Sequence, residues 1–220
     1  ASVKQILASY NTRYSYSQLS KLRSIDNASP YTGNVYDDLR TIRVQSESIL
    51  SRKYLKCDIS HPKAIKITNQ DLHRDVDIVT AGWYDNVNSI INDQNITYRG
   101  IQVYDKVANN RCAADYPFLS IERINTKSVN TGGRLKRMIR FLKNIKADSK
   151  QKIDLSSFDI NAICYNIDID AYKDLHYLYL VTIVFLQLHK IAYDESYANS
   201  ITSVDGKEYI FSCLLYTSPS

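Results

Sequence analysis

Lys136, Arg140 and Lys143 recur at i, i+4 and i+7 within Lys127-Ser-Val-Asn-Thr131-Gly-Gly-Arg-Leu-Lys136-Arg-Met-Ile-Arg140-Phe-Leu-Lys143-Asn. On a helix this spacing sets the three cations along one stripe. Leu135, Met138, Ile139, Leu142 and Ile145 occupy the adjoining stripe, the pattern of a helix with one buried face. Asn130 or Thr131 can cap the helix start, and Gly132 and Gly133 allow a backbone or ligand close approach. A polyanion lying along the helix meets a Lys, an Arg and a second Lys in register, which suits a triphosphate. The same stripe also reads as an ordinary solvated face.

A second element upstream bears on that choice. His73-Arg-Asp75-Val-Asp77-Ile-Val79 reads as a strand with Val76 and Ile78 on one side and Asp77 and Val79 on the other. A carboxylate within a β-branched run is costly to bury unless it is paired or holds a metal. A strand carboxylate followed by a Lys/Arg helix makes a metal-and-phosphate pair.

The elements that must position these groups follow from periodicity. Tyr36 to Tyr54 reads as a helix, with Asp37 and Asp38 in its first turn and Leu39, Ile42, Ile49 and Leu50 on its apolar face. Strands over 64–67 and 72–80 form a hairpin around Asn69-Gln70-Asp71. Trp83 and Tyr84 open a polar connection as core anchors, and a strand over 99–106 alternates through Ile101 and Val103. From about Ser120 the chain turns helical. One helix carries Ile121, Ile124 and Lys127, a second is the lysine helix, and others span 156–165 and 171–193. Residues 146–152 read as a charged loop, and a turn at Val204-Asp-Gly206 leads to a last strand. The fold class is α+β: a sheet followed by a helical lobe, with a ligand cleft between them.

Composition narrows the class. The chain has 220 residues, a net charge of +5, 44% hydrophobic and 23% charged residues, as expected for a globular protein with a mild attraction to polyanions. Eighteen tyrosines against one tryptophan, with abundant Asn, Ile and Lys, reflect an AT-rich genome rather than a base-stacking surface. Cys57, Cys112, Cys164 and Cys213 form no Cys-x-x-Cys pair, and His61, His73, His176 and His189 do not approach them at zinc-ligand spacing. The longest apolar run, 177–186, is roughly half of what a bilayer span needs. A reduced, cytoplasmic protein with no membrane contact is expected.

In order, Lys63-Ala-Ile-Lys-Ile67, Arg74-Asp-Val-Asp77-Ile-Val79, Trp83-Tyr-Asp85, Arg99-Gly-Ile-Gln-Val-Tyr104, Tyr116-Pro117, the lysine segment, Ser156-Ser-Phe-Asp-Ile160 and Tyr165-Asn166 resemble one family. It is the template-independent nucleotidyltransferases: oligoadenylate synthetases, cyclic GMP–AMP synthases and their bacterial antiphage relatives. The resemblance runs over roughly residues 35 to 210. It implies a polymerase-beta-like nucleotidyltransferase sheet, present in part, followed by a helical nucleotide-binding lobe. It implies two Mg²⁺ ions held by three carboxylates, with Asp77 at the position of the third. Lys127 and Lys143 fall where the family sets lysines against the triphosphate, with Arg140 and Lys136 as weaker candidates and Thr131 as a further nucleotide-binding residue of the same segment. Nucleoside triphosphates are the implied substrates, a cyclic or short oligonucleotide the product, antiviral defence the setting, and a nucleic acid or protein the activator.

The departures from the family pattern shape the remaining expectations. The family opens its active site with a Gly-Ser turn and an Asp-x-Asp strand, and this sequence contains no Gly-Ser dipeptide. The resemblance therefore implies a fragment that begins downstream of the first two carboxylates and is itself inactive. Asp75-x-Asp77 and Asp168-x-Asp170 have the Asp-x-Asp form without the turn; Asp168 and Asp170 suit a helix start, and Asp75 suits solvent or a pair with Arg74. Residues 213–220 resemble a translated sequencing adapter. The expected divisions are 1–115 for the partial catalytic core, 116–212 for the helical lobe and 213–220 for a non-native tail. The rival reading from another class is a basic nucleic-acid- or nucleotide-binding module without chemistry.

Overall fold

The computed structural model describes residues 15–28, 32–69, 73–85, 91 and 96–211. The chain forms two compact units, 1–116 and 117–220. Part of the expected hairpin turn (70 and 71), Leu72 and the tail 213–220 lie outside the described residues.

The first described element of the first unit is helix α1 (Tyr16–Ala28), whose Leu19 and Leu22 are buried. Helix α2 (Val35–Lys53) starts where the Asn34 side chain accepts from the Tyr36 amide. Asp37 and Asp38 in its first turn and Arg52 and Lys53 in its last oppose the helix dipole. Two three-stranded antiparallel sheets follow. One has the order β1 (Cys57–Asp58), β2 (Ile65–Asn69), β3 (Arg74–Ile78); the other has β4 (Ala81–Tyr84), β5 (Gly100–Asp105), β6 (Asn110–Arg111). Helix α2 packs on β1, β4, β5 and β6.

The buried face of α2 differs from its apolar pattern. Ile42 and Ile49 are exposed, and the buried stripe is Leu39, Arg43 and Glu47. The physical reason is an internal ion pair. Arg43 Nε donates to Glu47 at 2.8 Å, and Arg43 Nη2 donates to the carbonyls of His61 and Ala64 at 2.8 and 2.9 Å. A buried charge is tolerable when it is paired and hydrogen-bonded in this way.

The hairpin of β2 and β3 forms as its pattern predicts, with Lys66 opposite Asp77 and Thr68 opposite Asp75. Strand β3 is shorter than the expected 72–80, and its residues 74–77 are exposed. As an outer strand of its sheet it buries Ile65 and Ile67 of β2 rather than its own side chains. Trp83, expected in the core, is 52% exposed; the Arg99 guanidinium lies 4.4 Å from its ring centroid and pairs with Asp85 at 2.6 Å.

The second unit is helical: α3 (Pro117–Asn130), α4 (Arg134–Asp148), α5 (Ser157–Tyr165), α6 (Tyr179–Tyr193) and α7 (Glu195–Ser200). Its core joins Leu135, Met138, Ile139 and Leu142 of α4 to Ile160, Ile163 and Cys164 of α5, Tyr172 of the following turn, and Leu180 and Val184 of α6. Ile145, expected on the buried face, is exposed at the far end of α4. A capping box starts α5, Ser156 and Asp159 each bonding the other's backbone amide.

Three expectations for this unit change. The helix expected over 171–193 breaks, because residues 169–171 form a single 3-10 turn and α6 starts only at Tyr179. Asp168 still acts as a cap, but of that turn, accepting from the Asp170 amide. Residues 146–148 belong to α4 rather than to a loop. The expected last strand is reduced to one bridge, Thr202 to Tyr209, behind a turn held by Ser203 and Asp205, which both accept from the Lys207 amide.

Candidate functional site

Each unit contributes its own candidate groups. In the sheet unit, Asp77 lines a cavity of about 380 Å³ with His61, Pro62, Lys63, Ala64, Lys66 and Asp105. The sequence argument that Asp77 is buried does not hold, because β3 lies open to solvent. What the structure shows instead is a carboxylate with no hydrogen bond or ion pair to any described residue. Its ladder partner Lys66 gives its ammonium to Asp75, at 3.0 Å, and Thr68 donates to the same carboxylate at 2.9 Å. Lys66 and Thr68 hold the Asp75 carboxyl below the usual range. Asp75 therefore pairs with Lys66 and not with Arg74.

The cavity can be tested for Mg²⁺ by its donor chemistry. Among the described residues no group of three or more His, Cys, Asp or Glu could hold a metal ion. Mg²⁺, however, is bound by one or two carboxylates plus substrate phosphate oxygens rather than by an all-protein cage. Asp77, with no hydrogen bond among the described residues and lining the same cavity as Lys63, fits as one such ligand.

In the helical unit, the cations divide by what they already hold. Lys127 is half-buried; its ammonium donates to the carbonyls of Tyr165 at 2.6 Å and Ile167 at 2.8 Å, and lies 4.9 Å from the Tyr165 ring centroid. Burial lowers its pKa, partly offset by Asp168. Thr131 is buried at 1% exposure, and its hydroxyl donates to the Lys127 carbonyl at 2.9 Å. It presents no surface to a ligand. The positional cap of α4 is Gly133 at φ 84°, but the Thr131 hydroxyl does accept from the first-turn amide of Leu135 at 3.5 Å, while Asn130 ends α3.

Arg140 is exposed, and Lys143 is partly buried with no hydrogen bond or ion pair among the described residues. Burial pushes the Cys164 thiol beneath it up to about 12, with the Lys143 charge opposing the shift. The expected stripe of Lys136, Arg140 and Lys143 therefore stands open to an anion, while Lys127 and Thr131 lie in the packing behind it.

Arg137 and Tyr177 escaped the sequence reading. The Arg137 guanidinium lies 3.8 Å from the Tyr177 ring centroid. Both line a cavity of about 450 Å³ with Met138, Arg140, Phe141, Asn144, Leu180 and Val181. Arg137 sits between two cations of the noted stripe, but nothing in the sequence pairs it with an aromatic forty residues away. No described helix is long and apolar enough to cross a membrane.

Comparison with known proteins gives one consistent result. Residues 122–217 match the cGAS/DncV-like nucleotidyltransferase C-terminal helical domain. The chain is 57% identical over 176 residues to a c-di-GMP synthase of Capnocytophaga granulosa, covering 80% of this chain and 50% of that protein. It is 46% identical over 203 residues to a c-di-GMP synthase of a Lachnospiraceae bacterium, covering 91% of this chain and 58% of that one. The solved structure of a STING-associated CdnE c-di-GMP synthase from Flavobacteriaceae sp. superposes with a TM-score of 0.75 at 41% identity, over 96% of this chain and 60% of that one. The chain thus spans little more than half the length of the relatives it matches.

Proposed function

Because the chain belongs to the cGAS/DncV-like nucleotidyltransferases, we propose that it forms part of an enzyme that condenses GTP into cyclic di-GMP. The observation that carries this reading is its 57% identity to a c-di-GMP synthase across 80% of its length. In each step an acceptor hydroxyl oxygen bonds to the α-phosphorus of GTP and loses its proton to solvent, the bond to the β-phosphate oxygen breaks, and pyrophosphate leaves. Two Mg²⁺ ions supply charge neutralisation at the phosphates and acidify the attacking hydroxyl. Asp77 is one ligand, together with phosphate oxygens. Lys143 holds the donor triphosphate as a point charge, with Arg140 at its edge. Lys127 and Thr131 support that surface from within, and the third proton of the Lys127 ammonium remains free for a phosphate oxygen.

The 220-residue chain alone is inactive in this reading, because Asp77 by itself cannot hold both ions. The product acts as an intracellular signal in antiviral defence, in line with the relative described as STING-associated, and the enzyme works in the cytoplasm. The test is a chimera in which the part of the Capnocytophaga granulosa synthase that this chain does not match is joined ahead of it. With GTP and Mg²⁺ the chimera should yield cyclic di-GMP, detected by mass, and its Asp77→Ala form should not. A chimera that folds yet makes no cyclic product sinks the proposal. Tight, salt-sensitive RNA binding by the same protein would then favour the module without chemistry.

A further inference from the structure

The loop at residues 59–64 is held by two charged side chains, Arg43 and Lys106, which share one carboxylate, Glu47. Arg43, 1% exposed, donates to the carbonyls of His61 and Ala64. Lys106 donates through its ammonium to the Ile59 carbonyl at 3.3 Å and through its backbone amide to the Pro62 carbonyl at 2.9 Å. Glu47 binds both cations, accepting from Arg43 at 2.8 Å and from Lys106 at 3.1 Å. A buried guanidinium that ends on loop carbonyls is costly to desolvate and fixes the loop in one geometry. Its Nη1 is buried without a hydrogen-bond partner, so the arrangement accepts a further cost to keep that geometry.

What the clamp presents is Lys63. This lysine lines the same cavity as Asp77 and makes no hydrogen bond or ion pair among the described residues. Lys66, by contrast, is committed to Asp75. The cavity therefore holds a carboxylate with no hydrogen bond and an ammonium with no hydrogen bond among the described residues, the complement of a divalent cation carrying a phosphate chain.

We propose that Lys63 is a phosphate-binding residue of the Asp77 cavity, and that Arg43, Glu47 and Lys106 are positioning residues that hold its loop. The ligand is a metal-bound polyphosphate, and the proposal rests on the reading of Asp77 as a metal ligand. The Lys63 ammonium takes phosphate oxygens that the Asp77-bound ion leaves exposed.

The test uses the 220-residue chain and inorganic tripolyphosphate with Mg²⁺, read by amide hydrogen exchange at residues 59–67. The expected result is slowed exchange in this segment on adding the probe, with about a tenfold higher probe concentration needed in Lys63→Ala. Protection should also be lost in Asp77→Ala and retained in Lys143→Ala, which isolates this cavity from the lysine helix. Arg43→Lys should speed exchange at 59–64 before any probe is added. Lys63→Ala keeps the clamp intact, so its result stands even where an Arg43 variant fails to fold. No protection in the wild-type chain, or protection unchanged in Lys63→Ala, overturns the proposal. The chimera's product is read separately, so cyclic di-GMP formation with unaltered protection in Lys63→Ala leaves the synthase reading standing and removes only Lys63.

Discussion

Lys66 stands directly opposite Asp77 in the β2–β3 ladder yet gives its ammonium to Asp75, one diagonal away at 3.0 Å. The diagonal choice gives the Lys66 hydrogen bond to Asp75, leaves Asp77 only a through-space attraction to the same ammonium, and is reinforced by Thr68, which donates to the Asp75 carboxylate. Asp75 thus holds the Lys66 ammonium off hydrogen-bond contact with the carboxylate proposed to bind metal.

Removing that decoy should expose the competition. In Asp75→Asn, Lys66 is free to turn to Asp77, and the Mg²⁺-dependent binding of tripolyphosphate should weaken by up to about fivefold. The melting temperature should stay close to wild type, because the pair is exposed. Adding Lys66→Met to that variant should restore binding. A double variant as weak as the single one would show that the competition is not the cause.

Lys127 and Lys143 should separate under mutation. Lys127 satisfies two carbonyls at the end of α5, so Lys127→Met should lower the unfolding free energy by about 1–2 kcal/mol. Lys143 holds nothing within the described residues, so Lys143→Met should leave stability nearly unchanged and weaken GTP binding by the active chimera. Urea unfolding and nucleotide titration of the two variants give the comparison. Equal stability loss in both would contradict the division drawn here.

Gly133 should resist a side chain for conformational rather than steric reasons. Its φ of 84° is left-handed, and a Cβ there would meet no atom within 4 Å. Gly133→Ala should therefore cost about 1–2 kcal/mol, the penalty of the left-handed region, in urea unfolding. Gly133→Asn should cost less, since Asn tolerates that region better. If Ala proves neutral, the turn between α3 and α4 has another conformation open to it.

The helices that frame the lysine segment were legible because a single 3.6-residue period runs through Leu135, Met138, Ile139 and Leu142, and all four are buried. The β2–β3 hairpin was legible for a similar reason, from its alternating apolar residues. Helix α2 misled at its buried face because Arg43 and Glu47 sit inside it, Arg43 donating to carbonyls eighteen and twenty-one residues ahead and Glu47 accepting from Lys106, partners that no local pattern announces. Trp83 misled in the same way: Arg99, itself paired with Asp85, lies over its ring without burying it. Among the candidate groups, Asp77 and Lys143 were visible in the sequence as residue types at positions that match the family pattern. The commitments of Lys127 to α5 and of Lys66 to Asp75 were not, since each depends on which partner a long flexible side chain reaches. Lys63 was visible only as the first residue of a stretch that resembles the family sheet, just ahead of the expected strand, because its standing as a cation without a hydrogen bond follows from the loop geometry.

The core of the helical unit should make the chain sensitive to alkali. Burial pushes the Cys164 thiol up to about 12 from 9.0, and burial likewise raises the Tyr172 hydroxyl to about 12 from 10.0, with the neighbouring thiol adding to the shift. Above pH 9 the unfolded chain releases the Cys164 proton while the folded chain keeps it, so the native state binds more protons and stability falls as pH rises. The stability is intact below pH 9 and declines between 9 and 12, at most about 1.4 kcal/mol per pH unit for each group in its own window. Tyr172 joins only above pH 10, which steepens the loss. Urea unfolding of the wild-type chain at pH 8 and pH 10.5 should show the decline. Cys164→Ala lowers stability at both pH values through its cavity, but the difference between them should shrink, because the group that ionises early in the unfolded state is gone. An unchanged difference would mean that the Cys164 thiol ionises as readily in the fold as outside it.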